Sequence, residues 1–122
     1  MKITIKKGSL ADVKSQAIIL AFCEGEKTLS GPAAEIDQKS GGLLGDIIKS
    51  GDFEAKPSQV IVIYAGGFKP AKRIALLGLG KRNELNPEKI RRAFAKVMQE
   101  LRGWRVQKAA VSLDLSLLTV KK

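Results

Sequence analysis

Residues 17–22 read Ala-Ile-Ile-Leu-Ala-Phe, six apolar residues without a polar interruption. A strand with one face in water alternates apolar and polar side chains; a strand apolar on both faces must be covered on both. This run therefore demands a sheet with a layer on each side. The N-terminal run Lys2 to Lys7 alternates instead, as an edge strand does. Gln59 to Tyr64, Arg73 to Leu79 and Ala109 to Leu115 are three further β-rich runs. Gly66, Gly67 and Pro70 break the chain between the first two of them, which suits a hairpin or tight loop.

Helical patterns stand between these strands. Ser30-Gly31-Pro32 leads into Ala33 to Lys39, with Ser30 as a candidate cap and Pro32 in the first turn, where its missing N–H costs nothing. Leu43 to Ser50 places Leu43, Leu44, Ile47 and Ile48 on one face and stops at Gly51. The clearest helix begins at an Asn86 cap with Pro87 in first position. Ile90, Ala93, Phe94, Val97, Met98 and Leu101 then recur at three and four, and Gly103 closes it. Strands and helices in mixed order predict an α/β sheet with helices on its faces.

The chain of 122 residues is the size of one domain and large enough to keep a core. It contains no apolar run long enough to span a membrane and opens on no signal-peptide pattern, so it reads as cytoplasmic, with no membrane partner. Leu115, Leu117, Leu118 and Val120 are apolar with nothing after them to cover them, as in a chain cut at a domain boundary. Cys23 is the single cysteine, and there is no histidine. That removes the commonest general base and the commonest zinc ligand, and leaves Cys23 without an activating imidazole. It reads as a buried small apolar residue. The carboxylate pairs Glu24 and Glu26, Glu35 and Asp37, and Asp52 and Glu54 read as solvated charges, not as an acid–base pair.

The net charge of +10 is carried entirely by residues 62–122, where fourteen Lys or Arg face four acids; residues 1–61 balance at eight and eight. Such asymmetry points to an acidic partner, and DNA is one. Lys81, Arg82, Lys89, Arg92 and Lys96 are the candidate nucleic-acid or anion contacts. Lys89, Arg92 and Lys96 are spaced to share one helix line, expected opposite the apolar stripe.

Gly78-Leu79-Gly80-Lys81, at the end of an apolar strand, has the look of a phosphate loop. It fails both spacing tests. A P-loop would need a first glycine where Ala75 stands and a hydroxyl where Arg82 stands, and the dinucleotide pattern meets Asn83 at its third glycine. The remaining reading is a buried strand end that closes against neighbouring backbone.

Several stretches together resemble the N-terminal domain of the leucine (cytosol) aminopeptidases. They are Gly8-Ser9-Leu10-Ala11-Asp12, Ala17 through Phe22 with Glu24-Gly25, Leu29 through Ala34 with Ile36-Asp37, Gly51-Asp52-Phe53 with Lys56, Ala71 through Ile74 running into Gly78 through Lys81, and Glu84 through Ala93. The resemblance covers essentially the whole chain. It implies a three-layer α/β/α, macrodomain-like fold with a mixed sheet of five or six strands. It also implies that residues 1–122 form a single non-catalytic domain preceding a catalytic C-terminal domain, in a homo-hexamer that removes N-terminal amino acids from peptides. In that family two divalent metals, zinc or manganese, are held by the catalytic domain around an Asn-Thr-Asp-Ala-Glu-Gly-Arg-Leu stretch. No catalytic or metal-binding residue carries over to this segment. The fold likeness alone also suggests an ADP-ribose-binding macrodomain, against which the Glu24 and Glu26 carboxylates would set their charge.

Overall fold

The apolar run at 17–22 becomes the centre of the sheet. The computed structural model describes residues 2–5, 16–25, 31–64 and 72–112. Its strands are β1 (Lys2–Ile5), β2 (Ala17–Phe22), β3 (Val60–Tyr64), β4 (Arg73–Gly78) and β5 (Lys108–Ser112), and its α-helices are α1 (Gly31–Lys39), α2 (Leu43–Ser50) and α3 (Pro87–Gly103). The strand order is β1-β5-β2-β4-β3. β2 lies parallel to β4, with Ala17 opposite Arg73 and Phe22 opposite Gly78, and parallel to β5 on its other side. β1 runs parallel to β5, and only β3 runs antiparallel, against β4.

Because successive strand residues point to opposite faces, β2 and β4 feed two separate cores. Ile18, Leu20, Phe22, Ile74 and Leu76 pack with Ile36 of α1, Leu44 of α2 and Phe53. Ala17, Ile19, Ala75 and Leu77 pack on the other face with Ala93, Val97 and Leu101 of α3. Both faces of β2 are thus covered by helices, which is why its sequence never turns polar. Each fully buried Ile or Leu in this layer stabilises the fold by about 1.5–3 kcal/mol.

The helix ends follow from local chemistry. Asn86 Oδ1 accepts the Lys89 N–H at 2.9 Å, satisfying one of the free donors of the first turn of α3. Asp37, near the end of α1, ties the two short helices together: its Oδ1 accepts the Gly45 N–H at 2.9 Å. Gly51 caps α2.

The observed elements match the expected ones closely. α1 begins earlier than Ala33, at Gly31; β3 starts one residue after Gln59; and β4 ends one residue before Leu79. β5 begins at Lys108, one residue ahead of Ala109. Lys6, Lys7, the Gly8–Asp12 stretch, Glu26, Ser30, the Gly66, Gly67 and Pro70 break, and residues 113–122, including the apolar tail, lie outside the described residues.

Candidate functional site

The glycine segment at the end of β4 has every one of its amides committed to protein. Gly78 N–H donates to the Gln59 carbonyl at 2.7 Å, Leu79 N–H to the Phe22 carbonyl at 2.9 Å, and Gly80 N–H to the Ala55 carbonyl at 2.9 Å. In return, the Gly78 and Gly80 carbonyls accept the N–H groups of Ser58 and Glu24, each at 2.9 Å. A phosphate cradle needs convergent free N–H groups. This segment has none to offer at 78–80. It is a joint that fastens the ends of β2 and β4 to the segment 53–59.

That segment is built tightly. Ala55 and Ser58 both sit at φ 60°, a left-handed conformation that costs a non-glycine residue about 1 kcal/mol or more. The Gln59 side chain holds the turn: its Oε1 accepts the Glu54 and Lys56 N–H groups, each at 3.1 Å, and its Nε2 donates to the Asp52 carbonyl at 3.3 Å. A Cβ on Gly78 would lie 2.6 Å from the Ala55 carbonyl carbon, and one on Gly80, itself at φ +80°, would lie 2.7 Å from Pro57 Cγ. Sequence reading reached the close approach at Gly78 but not its partner, because the partner is brought in by the β3–β4 pairing.

Beside this joint, at the carboxyl end of β2, lies a cavity of about 230 Å³. Open α/β sheets take their ligands at this end. Phe22 and Phe53 meet there edge to face at 5.7 Å, and Glu24 and Glu54 also line it, while none of its described lining residues is basic. Of these two carboxylates Glu54 also pairs with Lys56, which leaves Glu24 as the one that sets its charge against an anion there. Cys23 lines the same cavity and is 1% exposed, as a buried small residue.

Asp37 and Glu54 also have partners within the protein. Asp37 serves α2, and Glu54 pairs with Lys56 at 3.4 Å on the surface. Among the described residues no three His, Cys, Asp or Glu side chains gather to hold a metal ion. The two divalent metals implied by the resemblance therefore have no fitting ligand set among those residues.

Of the five candidate basic residues, Lys81, Arg92 and Lys96 are exposed, while Arg82 and Lys89 are half-buried. Arg82 opens a 3₁₀ turn, Arg82–Glu84, ahead of α3. Lys89, Arg92 and Lys96 do form one line on α3. Within it, Lys89 is one turn from buried Ala93 and so lies beside the buried stripe, while the exposed Arg92 lies about 180° around the helix from buried Leu101. Arg92 Nε donates to Glu88 Oε2 at 2.9 Å, and Arg91 pairs with the same carboxylate. Outside these five, Arg73 lies within cation–π distance of both the Tyr64 and Trp104 rings, an arrangement sequence reading did not find.

Comparison with known proteins agrees with the fold and extends it. Residues 18–121 match the family described as cytosol aminopeptidase family, N-terminal domain. A probable cytosol aminopeptidase of Alkaliphilus oremlandii (strain OhILAs) is 36% identical over 117 residues, covering 93% of this chain and 23% of the relative. One from Methylobacillus flagellatus is 31% identical over 122 residues, covering the whole chain and 24% of the relative. The chain thus spans less than a quarter of the length of these relatives. Among solved structures, the macrodomain of Mycobacterium tuberculosis DarG superposes with a TM-score of 0.68 at 15% identity, over 96% of this chain and 84% of that one. A tomato leucine aminopeptidase mutant does so with a TM-score of 0.68 at 18% identity, over 91% of this chain and 22% of that one.

Proposed function

Since the chain belongs to the cytosol aminopeptidase family, as its N-terminal domain, we propose that it is the auxiliary domain of a metal-dependent leucyl aminopeptidase, with no chemistry of its own. The parent enzyme would remove N-terminal amino acids from peptides. Its zinc or manganese pair would sit in a C-terminal catalytic domain, and this domain would contribute to assembly of the homo-hexamer and to access to the active site. The cytoplasm is the compartment this reading implies. No helix among the described residues is long and apolar enough to cross a membrane.

The observation that carries the reading is the closed joint at Gly78, Leu79 and Gly80. The loop that most resembles a ligand loop spends its amides on Gln59, Phe22 and Ala55, so residues 78–80 have no free N–H groups to cradle an anion. Glu24, which lines the cavity beside it, sets its charge against ADP-ribose. Nucleic-acid contact through Lys81, Arg82, Lys89, Arg92 and Lys96 is the second reading, supported by the exposure of Lys81, Arg92 and Lys96 and weakened by the Glu88 carboxylate that answers Arg91 and Arg92.

The direct test is hydrolysis of leucine p-nitroanilide by this chain with added Mn²⁺ or Zn²⁺. No turnover is expected; metal-dependent turnover would refute the assignment.

A further inference from the structure

The chain has one tyrosine and one tryptophan, and both are exposed: Tyr64 by 61% and Trp104 by 50%. Both rings lie within cation–π distance of one guanidinium. Arg73 Cζ lies 5.4 Å from the Tyr64 ring centroid and 4.2 Å from the Trp104 ring centroid. Three separate parts of the fold make this stack. Tyr64 ends β3, Arg73 opens β4 directly opposite it, and Trp104 follows the last turn of α3. Parity places Arg73 on the same sheet face as Ala75 and Leu77, the face α3 covers.

The stack lies at the opposite end of the sheet from the cavity at Phe22. Arg73 and Gly78 are the two ends of β4, roughly 16 Å apart at the rise of a strand. The segments that carry it, 72–73 and 101–107, contain Lys72, Arg73, Arg102 and Arg105 and no acid, and the nearest acid along the chain is Glu100. Lys72, Arg102 and Arg105 are exposed.

We propose that Tyr64, Arg73 and Trp104 form a stacking platform for single-stranded nucleic acid. Arg73 holds the two rings in place by cation–π contact, which leaves ring surface in water. A nucleobase supplies a π-face to that surface, and its phosphates meet Lys72, Arg102 and Arg105; aromatic rings set in a basic surface are how sequence-tolerant single-strand binding is achieved. An acidic protein face fits less well. Its carboxylates would satisfy the cations, but they are repelled by the negative faces of the rings. A duplex keeps its bases stacked on one another and offers the rings nothing.

The test uses the intact 122-residue chain and a short oligo(dT). Trp104, the sole tryptophan, reports binding by its own emission, and a labelled oligo read by anisotropy reports it for the variants. Saturable quenching that weakens steeply with salt is expected. W104A and Y64A should each lower affinity about tenfold or more, while W104F retains most of it. Three results would overturn the proposal: no binding at low salt; binding of oligo(dT) and duplex alike that is indifferent to W104A and Y64A, which is charge alone; or polyglutamate quenching Trp104 as well as oligo(dT) does, which is an acidic protein site.

Discussion

Gly78 lies so close to the Lys56 carbonyl that a side chain on Gly78 would collide with that oxygen and come within 2.8 Å of the Ala55 Cα. This contact turns a sequence that looks like a ligand loop into a structural joint. The obstacle is the backbone of Ala55 and Lys56, so no rotamer change can relieve it. Gly78→Ala is expected to destabilise the domain by about 3 kcal/mol or more, read as a lower urea midpoint. Gly103→Ala, at the end of α3 with nothing within 4 Å of the added Cβ, is the control and should be neutral or slightly stabilising.

Gly80 meets a different obstacle, the ring of Pro57, and also carries φ +80°. Gly80→Ala combines a conformational cost of about 1–2 kcal/mol with a clash. Only the clash involves Pro57. In a double-mutant cycle with Pro57→Ala, the Gly80→Ala penalty should shrink but not vanish. Strict additivity would mean the ring is not what the alanine meets.

The N-cap of α3 gives a third expectation. Asn86→Ala removes the acceptor of the Lys89 N–H and should cost about 1 kcal/mol, while Asn86→Gly should cost a few tenths. Thermal unfolding of the two variants side by side separates the lost side-chain bond from the backbone conformation of the cap.

The ion pairs of Glu88 give a fourth expectation. Arg92 and Glu88 are exposed partners on one helix face, worth about 0.3–0.5 kcal/mol. Glu88→Gln, which also removes the Arg91 pair and the acid of the first turn of α3, should cost about 1 kcal/mol, and a loss well above that would show that Glu88 has a further role.

What could be read from the sequence was whatever one element decides by itself. The uninterrupted run at 17–22 announced a central strand, because burial on both faces leaves no place for a polar residue. The cap and period of 86–103 announced α3 for a similarly local reason. The joint and the stack were not legible. Ala55 reaches Gly80, and Gln59 reaches Gly78, only once β3 has paired with β4. Tyr64, Arg73 and Trp104 are separated along the chain and meet through strand register and the path of α3. The basic line on α3 was legible from spacing, but the half-burial of Lys89, one turn from buried Ala93, was not.

On the proposed function, this domain supports an aminopeptidase without taking part in its chemistry. That reading is tested most directly by replacing the N-terminal domain of the Alkaliphilus oremlandii relative with this chain, and measuring the mass of the assembly by light scattering. The predicted result is a hexamer that hydrolyses leucine p-nitroanilide, where the catalytic portion alone assembles incompletely. A chimera that neither assembles nor turns over any better than the catalytic portion alone would contradict it.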